Sequence, residues 1–325
     1  MQIFNAIRLT IETCERKHLS FSSQQTYTHW IKRYGLFLKD RTLASQTTEQ
    51  KMEAFLTMLA GTGISASNHN QAFSALLFFY REVLHQQLGA VDALRARRPA
   101  ILRDCPSMDE VRQLLASVTD VHGYPTRLIV HLLYACGLRV TEPLNFRIKD
   151  LDLAQSRFYI QQAKGKKGRV VRFPECLSAP QTRQLVIAKA FAATDQAQGI
   201  PVALPDLLAK KYPYAAHAER WAWLFPSRTT CLHPRTKQIV RWRCHEANVQ
   251  RAVKQAAHRC QLDGITPHHL RHAFATHSLQ NGSFVRDLQV VLGHNCLETT
   301  MRYLHTEAER VTSPLREFVP APWVP

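Results

Sequence analysis

The segment ITPHHLRHAFATHSLQ, residues 265–280, carries four histidines and one arginine with no Asp, Glu or Cys. His268 and His272 have the four-residue spacing by which a helix presents two zinc ligands. That arrangement needs a glutamate beside the first histidine, and here His269 stands there. No Cys or carboxylate cluster nearby offers a third ligand, and Arg271 would set a fixed charge beside the ion, so no metal is expected. Leu270, Phe274, His277 and Leu279 suit an inward helix face, where His272 or His277 would be a satisfied buried imidazole. His268 and Arg271, three apart, share a face. A guanidinium fork beside an imidazole donor suits a pair of phosphate oxygens. The pair alone is a weak signal and needs partners.

Candidate partners stand elsewhere in the chain. In YACGLRVTEPL, Arg139 follows a glycine that ends one helix and precedes another, a turn from which a fork can be aimed. Glu142, three residues on, either steers that guanidinium or is an ordinary helix-start acid. AKGKKGRVV puts Lys164 on a tight turn between strands, and VVLGHNCLETTMRYLH puts His294 after a glycine stop with Tyr303 nine residues later. Each fragment taken singly also fits a surface arginine, a solvated lysine run, a helix cap or an amphipathic tyrosine. Tyr303 competes with eight other tyrosines, of which Tyr27, Tyr34 and Tyr80 sit on apolar helix faces as core or base-stacking residues.

The elements that must position these residues divide the chain in two. Residues 1–94 read as a helical bundle. Ile3, Ile7, Ile11 and Cys14 form one stripe; Tyr27, Trp30, Ile31, Tyr34 and Phe37 form a second behind a Ser22/Ser23 cap. A third helix runs from a threonine start to a glycine stop in TTEQKMEAFLTMLAGTG, and SASNHNQAFSALLFFYREVLHQQLG makes a fourth. RARRPAILRDCPS, residues 95–107, is a basic linker, because proline resists helix and like charges repel. Its Arg95, Arg97 and Arg98 suit a phosphate backbone. From 108 to 325 the chain reads as helices around short alternating strands, with a three-stranded sheet at most and a basic irregular stretch at 226–243. The fold class is mainly α with a small antiparallel sheet.

Composition agrees with this chemistry. Forty-two Lys and Arg against 25 Asp and Glu give a net charge of +17, which favours nucleic acid, since neutralised phosphates release counterions. A merely soluble basic surface is the plainer alternative. Eight scattered cysteines with no CxxC pair suit free thiols in a reducing cytosol. The N-terminus lacks a signal-peptide core, and LIVHLLYACGL is too short and interrupted to span a bilayer, so a cytoplasmic protein is expected.

GLRVTE, HHLRHAFATH and LGHNCLETTMRYLH, in this order and at these separations, resemble the boxes of the tyrosine recombinases of phage-integrase type. The likeness spans residues 130–305, and the N-terminal bundle resembles that family's core-binding domain. Within the family the chain is most similar to integron integrases, whose extra segment is echoed by ALPDLLAKKYPYAAHAERWAWLFPS, an insertion at about 200–225. Two departures stand out. Ala163 replaces the usual glycine before the lysine, and Trp242 and Arg243 stand where paired histidines are often found.

The resemblance implies a two-domain, C-shaped clamp on DNA and a cofactor-free reaction in a bacterial, nucleoid-associated setting. It implies Arg139, Lys164, His268, Arg271, His294 and Tyr303 as the catalytic set. Tyr303 would attack a phosphodiester to form a 3′-phosphotyrosyl bond, with His268 as base and Lys164 as acid for the leaving 5′ oxygen. The forks and imidazoles would stabilise charge on the non-bridging oxygens. The substrates implied are duplex attI and attC folded as a single-strand hairpin, held by a homotetramer on two sites through exchange of C-terminal tails. Candidate DNA contacts further along are Lys166, Lys167, Arg169, Arg228, Pro234, Arg235, Lys237, Arg241, Trp242 and Arg243. Pro234, Trp242 and Arg243 are expected near an extrahelical base, with Trp221 and Trp223 either packing the insertion behind it or forming plain core. The rivals are a Xer-type, phage or transposon recombinase acting on duplex sites, and an inactive DNA-binding regulator.

Overall fold

The computed structural model describes residues 2–40, 43, 45–89, 105–161, 168–204, 206–233 and 236–293. Its contacts divide the chain into two units, Met1–Arg103 and Asp104–Pro325. The expected linker lies mostly outside the described residues, with Arg95, Arg97 and Arg98 among those not described.

The first unit is helical: α1 (Ile3–Arg16), α2 (Phe21–Phe37), α3 (Thr48–Gly61) and α4 (Ala66–Phe78). Trp30, Ile31, Tyr34, Met52, Phe55 and Leu76 are buried at its centre. Capping chemistry sets the boundaries. Thr47 and Gln50 form a reciprocal capping box before α3, and Ser65 caps α4. The start of α2 differs from expectation, because Ser20, not Ser22 or Ser23, accepts the hydrogen bond, from the Ser23 N–H at 3.1 Å. The buried stripe of α1 also differs: Ala6, Thr10, Thr13 and Cys14 face inward while the three isoleucines are half-buried. α1 lies close on α2, where a Cβ on Gly35 would come within 2.8 Å of the Ile3 side chain. Thr10 stays satisfied by donating to the Ala6 carbonyl at 2.7 Å. The fourth expected helix ends in a π-helical turn, Phe79–Val83, that brings the Tyr80 hydroxyl to 3.0 Å from that of Tyr34.

The second unit opens on α5 (Met108–Ser117), capped by a Ser107–Glu110 box, and α6 (Thr126–Ala135). After the short α7 (Thr141–Leu144) come β1 (Leu151–Asp152), β2 (Arg157–Ile160) and β3 (Arg169–Arg172), an antiparallel sheet in that order. Phe158 pairs with Val171 across it and stacks on Phe146 at 4.3 Å. Then follow α8 (Ser178–Ala197) and α9 (Asp206–Lys211). β4 (Pro226–Leu232) and β5 (Ile239–Arg243) form a two-stranded antiparallel sheet where the sequence reading expects irregular chain. Helices α10 (Glu246–Arg259), α11 (Pro267–Gln280) and α12 (Val285–Leu292) complete it. A continuous apolar core joins α5, α6, the three-stranded sheet, α10 and α11. The architecture is mainly helical with small antiparallel sheets, as the residue pattern implies. Among the described residues no helix is long and apolar enough to cross a membrane, and the described cysteines are free thiols.

Candidate active site

Gly137 places the first arginine. It follows α6 with φ at +59°, and a Cβ there would run into the Phe274 ring, so the turn demands glycine. Two residues later the Arg139 side chain is half exposed and meets Glu142, which opens α7. One Glu142 oxygen accepts from Arg139 Nη1 at 3.0 Å, and the other accepts from the Arg139 backbone N–H at 2.8 Å. Of the two readings open for Glu142, the structure selects steering of the guanidinium.

Arg271 comes from α11 and is only 2% exposed. Its Nη1 donates to the Gly137 carbonyl at 2.6 Å and lies 3.8 Å from Glu142 Oε2, and its Nη2 donates to the Leu292 carbonyl at 2.7 Å. Gly137 thus gives both the turn that presents Arg139 and an acceptor for Arg271. Leu292 ends α12, where the left-handed Gly293 follows (φ 63°, ψ 47°).

Arg169, expected to contact DNA, is instead buried at the start of β3. Its Nη2 donates to Glu142 at 2.8 Å and its Nε to the Val291 carbonyl at 2.7 Å. Burial pushes the Glu142 carboxyl up. The hydrogen bond and charge of Arg169, the Arg139 N–H and the charge of Arg271 outweigh that and hold it below the usual carboxylate range. Three guanidiniums therefore converge on one carboxylate. Such a node keeps surplus positive charge and can receive a tetrahedral anion through half-exposed Arg139.

The histidines of α11 divide by role. His268, in the first turn, is exposed, with its ring 5.4 Å edge-on from His272. His269 is taken up in capping, its Nδ1 accepting from the Thr266 N–H at 3.0 Å. His277 is the buried core histidine, 3.0 Å from the Tyr134 hydroxyl. Burial pulls its pKa down against a raising hydrogen bond with Pro106. Lys164, His294 and Tyr303 lie outside the described residues, as do Lys166, Lys167, Pro234 and Arg235. Among the tyrosines that are described, Tyr34 and Tyr80 are buried against each other, and burial pushes both hydroxyls up. Neither can serve as a surface nucleophile.

The basic hairpin is more structural than its composition suggests. Arg241 is buried, and its fork takes Asp195 of α8 bidentately, with Nε to Oδ2 at 2.8 Å and Nη2 to Oδ1 at 2.5 Å. Its Nη1 donates to the carbonyls of Ser227 and Arg228, each at 3.1 Å. Buried, with every nitrogen engaged inside the protein, Arg241 leaves the set of expected contacts. Arg228 is exposed and donates to the Gly123 carbonyl at 2.9 Å; Lys237 is exposed at the hairpin turn with φ at +57°. Trp242 and Arg243 are half-buried, with His233 5.6 Å from the Trp242 ring. Trp223 is core, its Nε1 donating to the Arg241 carbonyl at 3.2 Å beneath the Arg147 guanidinium, 3.2 Å from the ring centroid. Trp221 is half-buried and packs with Leu208 of α9 against Val202, Leu204, Ala215 and Ala222, a small separate core.

Comparison with known proteins identifies the family. The profile described as "Phage integrase family" matches residues 107–310, and "Phage integrase, N-terminal SAM-like domain" matches residues 7–90. An integrase/recombinase of Escherichia coli is 38% identical over 294 residues, covering 89% of this chain and 85% of that protein. The tyrosine recombinase XerD of Agrobacterium fabrum is 31% identical, covering 80% of this chain and 76% of its own. Among solved structures, the Tn1549 transposon integrase in complex with a circular intermediate DNA has a TM-score of 0.63 at 13% identity, covering 92% of this chain and 94% of that one. The XerH recombinase bound to its difH substrate has a TM-score of 0.59 at 19% identity, covering 88% and 78%. These two likenesses concern the fold. The chain belongs to the phage integrase family. It is a tyrosine recombinase, an enzyme that cleaves and rejoins DNA.

Proposed function

We propose that this recombinase is an integron-type integrase, joining a duplex attI site to attC sites folded as single-strand hairpins. The chemistry rests on one observation: Arg139 and Arg271, distant in sequence, converge on Glu142, with His268 exposed three residues before Arg271. A phosphodiester seated on these forks gains stabilisation as attack adds charge to its non-bridging oxygens. Tyr303 attacks phosphorus; its proton passes to His268, and the bond to the 5′ oxygen breaks as that oxygen takes a proton from Lys164. His294 adds a further donor. The 3′-phosphotyrosyl ester keeps the bond energy, so the 5′-hydroxyl of a second strand reverses the step and releases the tyrosine. No cofactor enters.

The integron assignment is supported by the sequence resemblance and by the insertion around α9, which carries its own small core beside Trp221. The exposed Arg228 and Lys237 with half-buried Trp242 and Arg243 supply cations and an aromatic face suited to an unpaired base. Two sites must be cut, so the working form is a homotetramer with exchanged C-terminal tails, acting in the bacterial cytoplasm. The likeness to XerD proteins favours a second reading, recombination of perfect duplex sites. One experiment separates them. Incubation with a nicked suicide attC hairpin gives a protein–DNA adduct on a denaturing gel, and Tyr303→Phe abolishes it while binding persists. Lys164→Ala slows cleavage except where sulfur replaces the scissile 5′ oxygen. Preference for the fully paired site over the hairpin would select the second reading.

A further inference from the structure

Arg169 stands apart from the residues that the reaction uses directly. Its side chain is 5% exposed, so it offers no surface to a DNA backbone. Two of its nitrogens grip separate elements, the Glu142 carboxylate of α7 and the Val291 carbonyl of α12, while Nη1 is buried with no hydrogen-bond partner among the described residues. A buried guanidinium with an unsatisfied corner is a poor choice for packing alone. An apolar side chain of similar volume would fill the space without that penalty.

What Arg169 joins explains its presence. Glu142 takes the Arg139 fork on one oxygen; the other accepts from the Arg139 backbone N–H and from Arg169, and faces Arg271. The carbonyls of Val291 and Leu292, consecutive at the end of α12, are held by Arg169 and Arg271 respectively. Cations at a helix C-terminus oppose its partial negative charge, so the two forks fix that end from two sides. Remove Arg169 and Glu142 keeps its Arg139 contacts but is free to swing, carrying the Arg139 fork with it. We propose that Arg169 is a positioning residue for strand cleavage, its fork locking Glu142, and through it the two phosphate-binding arginines, to the end of α12. This inference rests on the proposed catalytic set.

The test is Arg169→Lys, which keeps the charge but cannot reach both acceptors with one nitrogen. Single-turnover cleavage is measured at saturating DNA, on a nicked suicide attC hairpin and on the fully duplexed site. Equilibrium DNA binding and a thermal melt are measured beside it. The variant is expected to bind within about threefold of wild type and to cleave about 10–100-fold more slowly, the scale of a misplacement of ~1 Å in a reacting site. In a Glu142→Gln background, Arg169→Lys should add little, because both changes disable one unit. Wild-type cleavage by Arg169→Lys, or independent penalties in the double variant, would overturn the inference. So would a rate loss accompanied by an equal loss of binding or a collapsed melt, which would make Arg169 purely structural. Wild-type protein that forms no adduct with either DNA would overturn the catalytic reading itself, and the inference with it.

Discussion

Arg241 gives the sharpest separation of structure from DNA contact. In Arg241→Met the Asp195 carboxylate, 4% exposed, loses both fork hydrogen bonds, and the Ser227 and Arg228 carbonyls lose a shared donor. Removing one member of a buried pair strands the other charge and costs about 3–5 kcal/mol. For a unit of roughly 200 residues, 1 kcal/mol moves the melting point by about 2–4 °C, so the melt should fall by ~6–20 °C. Arg241→Met combined with Asp195→Leu removes the stranded charge and should recover most of that loss, since a buried pair replaced by apolar groups is often neutral. The assay is a thermal melt of both variants, followed by DNA binding across salt concentrations. Each phosphate contact contributes about 0.9 to the slope of log affinity against log salt, and the double variant should keep the wild-type slope. An unchanged melt for Arg241→Met, together with a slope lower by about one, would refute the argument and return Arg241 to the DNA surface.

Further expectations concern the node itself. Gly137→Ala forces a side chain onto a +59° backbone and into Phe274, and should destabilise the second unit by ~1–3 kcal/mol, read by urea denaturation, with cleavage lost more steeply than binding. Because the Glu142 carboxyl is held low, its stabilising contribution is present above the ordinary carboxylate range and is lost as pH falls through its depressed value. Glu142→Gln should therefore flatten the acid side of the stability profile and cleave about tenfold or more slowly at neutral pH, measured by melts and single-turnover rates. His277, also held low, favours the neutral ring; its share of stability is complete above the usual histidine range and lost as pH falls through its depressed value, a loss that His277→Gln should remove from melts taken below the usual histidine range.

Much of the helical framework can be read from local chemistry. The capping residues before α3 and α5 are close in sequence to the groups they satisfy, and the aromatic stripe of α2 is a helical period that needs no tertiary knowledge. The inward turn of Thr10 and Thr13 is hidden, because a buried threonine that bonds its own helix looks polar in a sequence. The second sheet is hidden for a related reason. Arg241 interrupts an apolar alternation, and the acid that makes its burial tolerable is Asp195, on helix α8 46 residues away. The site divides in the same way. A turn glycine and HxxR spacing mark Arg139 and Arg271, whereas the burial of Arg169 depends on Glu142, 27 residues earlier, and on a carbonyl 122 residues later. Acidic partners brought from afar decide which arginines face outward, and nothing in a basic run announces them.

The carbonyls of Gly137, Val291 and Leu292 do work that carboxylates do in many guanidinium sites. Peptide dipoles orient a fork yet carry no net charge. Three further acids in those places would aim the arginines equally well but would leave the cluster close to neutral or negative and repel an incoming anion. By orienting with neutral backbone and using a single carboxylate, the protein keeps an electrostatic well open to an incoming anion.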